Sequence, residues 1–185
     1  KRQVLEMLSE HSLQGMLQGY VLTGRHGLLV SYEAFAQIIS SMADQYAKFL
    51  KIARTVPWRG TVASLNYILT STGWRQEHNG FSHQNPGFID GVLQRQGDFT
   101  NVYFPADANL ALAAIARMLS SVEAINVMVC EKRPLPIWRT PAQAAADVEK
   151  GIAVWKFASD EDPHMVFASA GDYPTQEVLA AISIV

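Results

Sequence analysis

The chain has 185 residues, of which 49% are apolar, enough for one substantial core or for one domain and part of another. Lysine and arginine number 15 against 17 aspartates and glutamates, a formal balance of -2 that excludes a general basic surface for nucleic acid. Local clusters such as Lys48, Lys51 and Arg54, or Lys132 and Arg133, remain suited to a small phosphorylated ligand. The single cysteine, Cys130, lies in the apolar run "INVMVC" and has no partner for an internal disulfide. It reads as a small buried hydrophobe of a reducing compartment, which places the protein in the cytoplasm. No stretch reaches transmembrane length, and the start lacks a signal-peptide pattern. The opening "KRQVLEML" and the uncapped apolar close "EVLAAISIV" lead us to expect a fragment of a larger protein.

In chain order, "QVLEMLSEH" is a strand or a helix start, and Ser12 is a candidate cap for a helix over "LQGMLQGYVLTG". "HGLLVSY" is strand-like. After Ser31, "YEAFAQIISSMADQYAKFLKIA" is the clearest helix, with Phe35, Ile38, Ile39, Met42, Tyr46, Phe49, Leu50 and Ala53 in one broad stripe. Pro57 ends or follows it. "VASLNYILTS", "TNVYFPAD" and "AINVMVCE" read as strands, whereas "GFIDGVLQRQ" and "ANLALAAIARMLSS" read as helices. "TPAQAAADVEKG" is a helix with proline in its first turn. "IAVWKFA" is ambiguous, "MVFASAG" is strand-like, and "PTQEVLAAISIV" begins a helix. Helical patterns between continuous apolar runs predict a three-layer, doubly wound α/β fold with a mainly parallel sheet and right-handed crossovers. The acidic break "SDEDP" marks the expected boundary, giving one domain with its linker over 1–158 and the start of another over 159–185.

The stretch "WRQEHNGFSHQNPGF", Trp74 to Phe88, is the first place to look for a site. Asn79-Gly80 and Pro86-Gly87 are turn formers, so two imidazoles and three aromatics are concentrated in a loop. Glu10-His11, at the carboxyl end of the first apolar segment, is the second candidate, because open α/β sheets bind ligands beyond the carboxyl ends of their strands. The bland reading of that pair is a polar helix cap. Glu77, His78, His83 and Asp90 carry metal-capable atoms, but their spacing fits neither a helical zincin pair nor a compact zinc site. Neither "GxxxxGK[ST]" nor "GxGxxG" is present, and "TGRHG", Thr23 to Gly27, reads as a tight connection. Tyr20, Tyr32 and Phe35 would form a core edge or one wall of a flat pocket.

Taken together, "LSEHSLQGMLQGYVLTGRHGLLVSYEAF", "VPWRGTVASLNYILTSTGWRQEHNGFSHQNPGFID", "VYFPADAN" and "SAGDYPTQEVLAA" closely resemble phosphoketolase, a thiamine-diphosphate enzyme related to transketolase. The blocks occur in order over nearly the whole chain. They correspond to the middle, pyrimidine-binding domain and the start of the C-terminal domain. The resemblance implies phosphorolytic cleavage of xylulose 5-phosphate, fructose 6-phosphate or both, yielding acetyl phosphate, an aldose phosphate and water. It also implies a homodimer with the cofactor across its interface, and magnesium held by an N-terminal domain outside this sequence. No metal ligand is therefore assigned within the chain.

The resemblance assigns Glu10 to the pyrimidine ring nitrogen, where a carboxyl favours the imino tautomer needed for activation, and Tyr32 and Phe35 to the aromatic wall around that ring. His78 and His83 match histidines facing the substrate and the reactive carbon, with Gln76 and Asn79 orienting sugar or phosphate oxygens. Lys132 falls near the substrate-phosphate lysine, although "CEKRP" replaces the usual glycine-lysine-glutamine-proline and Arg133 is positioned to share the role. "SEHSLQGM" lacks the family's usual Thr-Cys and Trp, "TSTGW" replaces a Ser-His-Val-Trp run, and Ala106 stands where a second proline is common. A non-catalytic scaffold or regulatory domain with the same fold is the alternative. The fragment by itself is expected to be inactive.

Overall fold

The computed structural model describes residues 4–76, 80–95 and 98–184. Its centre is a sheet of four parallel strands, β1 (Leu29–Ser31), β2 (Leu65–Leu69), β3 (Thr100–Tyr103) and β4 (Ile125–Val129), in the order β1-β2-β4-β3. β2 and β4 are buried on both faces, which is why they read as continuous apolar runs instead of alternating.

Strand periodicity assigns the layers. Leu65, Tyr67 and Leu69 of β2 and Ile125, Val127 and Val129 of β4 enter one large core. That core is completed by α1 (Glu10–Val21), α2 (Glu33–Ala36), α3 (Ser40–Ala53) and α4 (Gly87–Gln94). The alternate residues Ile68 and Met128 face α5 (Ala108–Ser120), with α6 (Pro141–Lys150) packed beyond it. The three-layer fold read from the sequence is therefore the one found.

Polar side chains fix the register within this apolar frame. Asn101 Nδ2 donates to Asn126 Oδ1 at 2.9 Å, and Asn126 Nδ2 donates to Asn66 Oδ1 at 2.7 Å, so three adjacent strands share an asparagine ladder. Asn66 Nδ2 in turn donates to the Gly27 carbonyl at 3.1 Å. A slip of one residue would turn these amides into the opposite, apolar layer.

Several sequence expectations shift. The helix cap is Ser9, whose side chain accepts from Ser12 N, so α1 opens at Glu10 and not after Ser12. Residues 4–8 form neither strand nor helix, and Glu10 therefore follows a cap and not a strand. The long helix after Ser31 is divided by a 3-10 turn, Gln37–Ile39, and Ile38 of its expected stripe is exposed. Near the end, α7 (Asp172–Ile182) forms, but the strand-like "MVFASAG" is unpaired and exposed up to its glycine. A sequence suited to a strand still needs a neighbouring strand to satisfy its backbone.

Candidate functional site

The loops leaving the carboxyl ends of β1, β2 and β4 converge. Immediately after β1, Tyr32 and Phe35 stand 5.7 Å apart, ring to ring. His83, carried on the loop after β2, contacts both, with ring centroids 5.3 Å from Tyr32 and 5.2 Å from Phe35. Lys132, from the loop after β4, places Nζ 3.2 Å from the Tyr32 hydroxyl and 4.6 Å from its ring centroid. Residues far apart in sequence thus form one polar-aromatic cluster, at the edge where parallel sheets present ligand sites. A cleft of about 10 Å³ lies beside it, lined by Thr70, Thr72, Arg75, His83, Glu131 and Lys132 among others. A much larger cavity, about 1270 Å³, opens between β3 and residues 151–171 and does not include this cluster.

Glu10 is half-buried at the start of α1. The helix runs counter to the strands: Leu17 lies against Gly27 just before β1, and Gln14, nearly one turn earlier, donates to the Tyr67 hydroxyl at 2.7 Å. Glu10 lies a further turn back along the helix. No hydrogen bond or ion pair joins Glu10 to the Tyr32–His83 cluster among the described residues. Gln76 is exposed on the loop after β2. His78 and Asn79 lie outside the described residues, as does Glu77.

Backbone and side-chain bonds aim the β2 loop. Ser71 Oγ accepts from Glu33 N at 2.8 Å and donates to the His83 carbonyl at 2.6 Å, joining the start of α2 to the histidine. Trp74 Nε1 donates to Asp172 Oδ1 at 2.9 Å, and Arg75 stacks over the Tyr173 ring at 4.1 Å. Gly171 is required at this junction. It has φ 91°, and a Cβ there would meet Trp74 Cζ2 at 2.6 Å.

One residue beside the cluster was missed in the sequence. Glu33 is only 1% exposed, and burial pushes its carboxyl up to about 7, against the opposing pull of the backbone amides of Asn85 and Gly73. A glutamate in the first turn of a predicted helix looks like an ordinary dipole partner, and nothing in "SYEAF" signals its burial.

Other candidates resolve as structure. Arg54 of the Lys48-Lys51-Arg54 cluster is paired with Asp98 at 2.7 Å, which raises the arginine and lowers the aspartate. Cys130 follows the end of β4 and is half-buried, whereas a strand-interior position was expected. Burial, followed by the charges of Asp172 and Glu131, pushes its thiol up to about 11. It is therefore no thiolate nucleophile near neutrality. Among the described residues no three His, Cys, Asp or Glu side chains gather as metal ligands.

The fold and this edge define a three-layer parallel α/β domain with a candidate site assembled from strand-end loops. Comparison of the sequence with known proteins narrows the class. A profile of D-xylulose 5-phosphate/D-fructose 6-phosphate phosphoketolase matches residues 1–121, and a profile described as the XFP C-terminal domain matches residues 132–185. A probable phosphoketolase of Rhodopirellula baltica is 51% identical over 184 residues, covering 98% of this chain. Those of Bradyrhizobium diazoefficiens and Streptomyces coelicolor are 50% and 49% identical over 185 and 186 residues, again covering 98% of this chain. The chain belongs to the phosphoketolase family. It spans 23% of the length of each of these relatives.

Proposed function

We propose that the intact protein is a thiamine-diphosphate-dependent aldehyde-lyase that cleaves xylulose 5-phosphate, fructose 6-phosphate or both with inorganic phosphate, releasing acetyl phosphate and an aldose phosphate. The observation that carries this reading is the meeting of Tyr32, Phe35, His83 and Lys132 at the carboxyl edge of the sheet. A flat aminopyrimidine fits an aromatic wall of this kind, and Tyr32 and Phe35 would hold it. Glu10 would hydrogen-bond its ring nitrogen from the start of α1. When bound, the cofactor supplies the electron sink for carbon–carbon cleavage.

The remaining roles belong to this chain's polar groups. The His83 imidazole is suited to return a proton to the substrate and to assist departure of a hydroxyl, because its ring nitrogens can both donate and accept a proton. His78 shares that role. Gln76 and Asn79 would orient sugar or phosphate oxygens, and the Lys132 ammonium would meet the substrate phosphate. Magnesium and the cofactor diphosphate would be held by parts of the protein outside this chain. We further assign the protein to the cytoplasm as a homodimer, a reading that rests on its lone cysteine and on the family resemblance.

The full-length protein should form acetyl phosphate when supplied with thiamine diphosphate, magnesium, inorganic phosphate and either ketose phosphate. Glu10→Gln and His83→Ala should each lower kcat by at least about a hundredfold, with unchanged thermal transitions. Full activity in both variants would overturn the assignment of roles. No acetyl phosphate from either sugar with the unmodified protein would overturn the function itself. The 185-residue fragment should be inactive in the same assay.

A further inference from the structure

Glu33 is the buried titratable group that the roles above leave unused. It opens α2 directly after the aromatic Tyr32, and its side chain is almost completely enclosed. Such a carboxyl normally has a cation or a full set of donors around it. Among the described residues Oε2 has no hydrogen-bond partner, and no cationic side chain of theirs pulls the carboxyl down. What the carboxyl faces instead is backbone. The Gly73 backbone lies closest, where a Cβ would sit 3.4 Å from Oε2, and the backbone amides of Gly73 and Asn85 oppose the upward push of burial on the carboxyl.

Gly73 and Asn85 bracket the part of the β2 loop that carries Gln76 and His83. One buried group therefore lies at the start of the segment that carries His83. The backbone of the same residue adds a second tie, because Glu33 N donates to Ser71 Oγ, which donates to the His83 carbonyl. A role limited to packing would be filled better by an apolar side chain of similar volume, which has no polar atom to desolvate.

We propose that Glu33 is a positioning residue for the reaction, its buried carboxyl set against the Gly73 backbone and its amide bonded through Ser71 to the His83 carbonyl, so that His83 is held against Tyr32 and Phe35. Glu33 acts through the loop and touches no substrate. The inference rests on the functional reading above. Glutamine is nearly isosteric but can neither ionise nor offer the two acceptor oxygens of the carboxylate.

The test uses full-length Glu33→Gln protein and follows local amide hydrogen exchange by peptide mass spectrometry together with steady-state kinetics. The variant should exchange at least about tenfold faster across residues 73–85, with β2 and β4 unchanged. Its kcat for acetyl phosphate formation should fall at least tenfold while KM for inorganic phosphate moves less than threefold, the split expected when a proton-transfer group is misplaced. Unchanged exchange in the loop would overturn the tether. A uniform rise over loop and sheet would reduce Glu33 to general stability, and faster loop exchange with unchanged kcat would overturn its role in positioning. If the unmodified protein makes acetyl phosphate and the variant matches it, the proposal alone falls. If the unmodified protein makes none, the functional reading fails and the proposal goes with it.

Discussion

The loops that leave the two central strands are held in different ways. The loop after β4 is fastened at both ends by aspartates. Asp172 accepts from Glu131 N at 2.8 Å where the loop begins, and Asp107 accepts from Trp138 N at 2.7 Å and Arg139 N at 2.8 Å where it closes. Both carboxylates have further donors: Asp107 caps α5 through Leu110 N, and Asp172 receives Trp74 Nε1 and Tyr173 N. The loop after β2 depends on the Ser71 hydroxyl and on Glu33, and two buried oxygens beside it, Glu33 Oε2 and Thr72 Oγ1, have no regular partner among the described residues. Satisfied anions build a frame, while the segment carrying His83 sits on groups that are costly to bury. Asp172 also ties the two loops together, since it holds Trp74 from one and Glu131 from the other.

The largest effect should come from breaking the frame. Asp172→Ala leaves the donors Trp74 Nε1 and Glu131 N without their acceptor, and should cost about 3 kcal/mol of unfolding free energy. Ser71→Ala, which removes the corresponding link in the β2 loop, should cost roughly 1 to 2 kcal/mol. Denaturant midpoints of the two full-length variants would check the order. Equal losses, or a greater loss at Ser71, would remove the contrast between the loops.

A subtler effect concerns pH. Burial raises the Glu33 carboxyl from an ordinary 4.5 to about 7, so the folded protein retains a proton that the unfolded chain releases. Below about 4.5 both states hold that proton and the group costs nothing. As pH rises from 4.5 to 7 the unfolded state gains from ionising first, stability falls, and above 7 the cost levels off. Glu33→Gln lacks this proton, so its thermal midpoint should gain on that of the unmodified protein across this window. Parallel midpoint curves would show that the carboxyl ionises alike in both states.

The smallest expected effect is on Cys130. Its thiol, pushed up to about 11, should stay largely unmodified by iodoacetamide at pH 8 in the folded protein and react on unfolding. Peptide mapping would follow it. Asp172→Ala should hasten the reaction by opening the start of the β4 loop, whereas Ser71→Ala should leave it slow.

The sequence by itself determined the layers. Continuous apolar runs at β2 and β4 required helices on both faces, and the Ala- and Leu-rich pattern of α5 supplied one of them. It also marked the loop holding His83, because histidines and aromatics interrupted by turn residues fit neither helix nor strand. Family resemblance, more than periodicity, brought Tyr32, Phe35 and Lys132 into one proposed site. What tertiary structure decided was which polar groups are enclosed. Asp107, Asp172 and the three asparagines of the ladder look like surface residues in isolation, and only strand order and crossovers bring their partners within hydrogen-bond distance. Glu33 shows this most clearly. Local sequence places it at a helix start where glutamate is commonplace, and burial, set by how the β2 loop folds back over α2, is what raises its carboxyl.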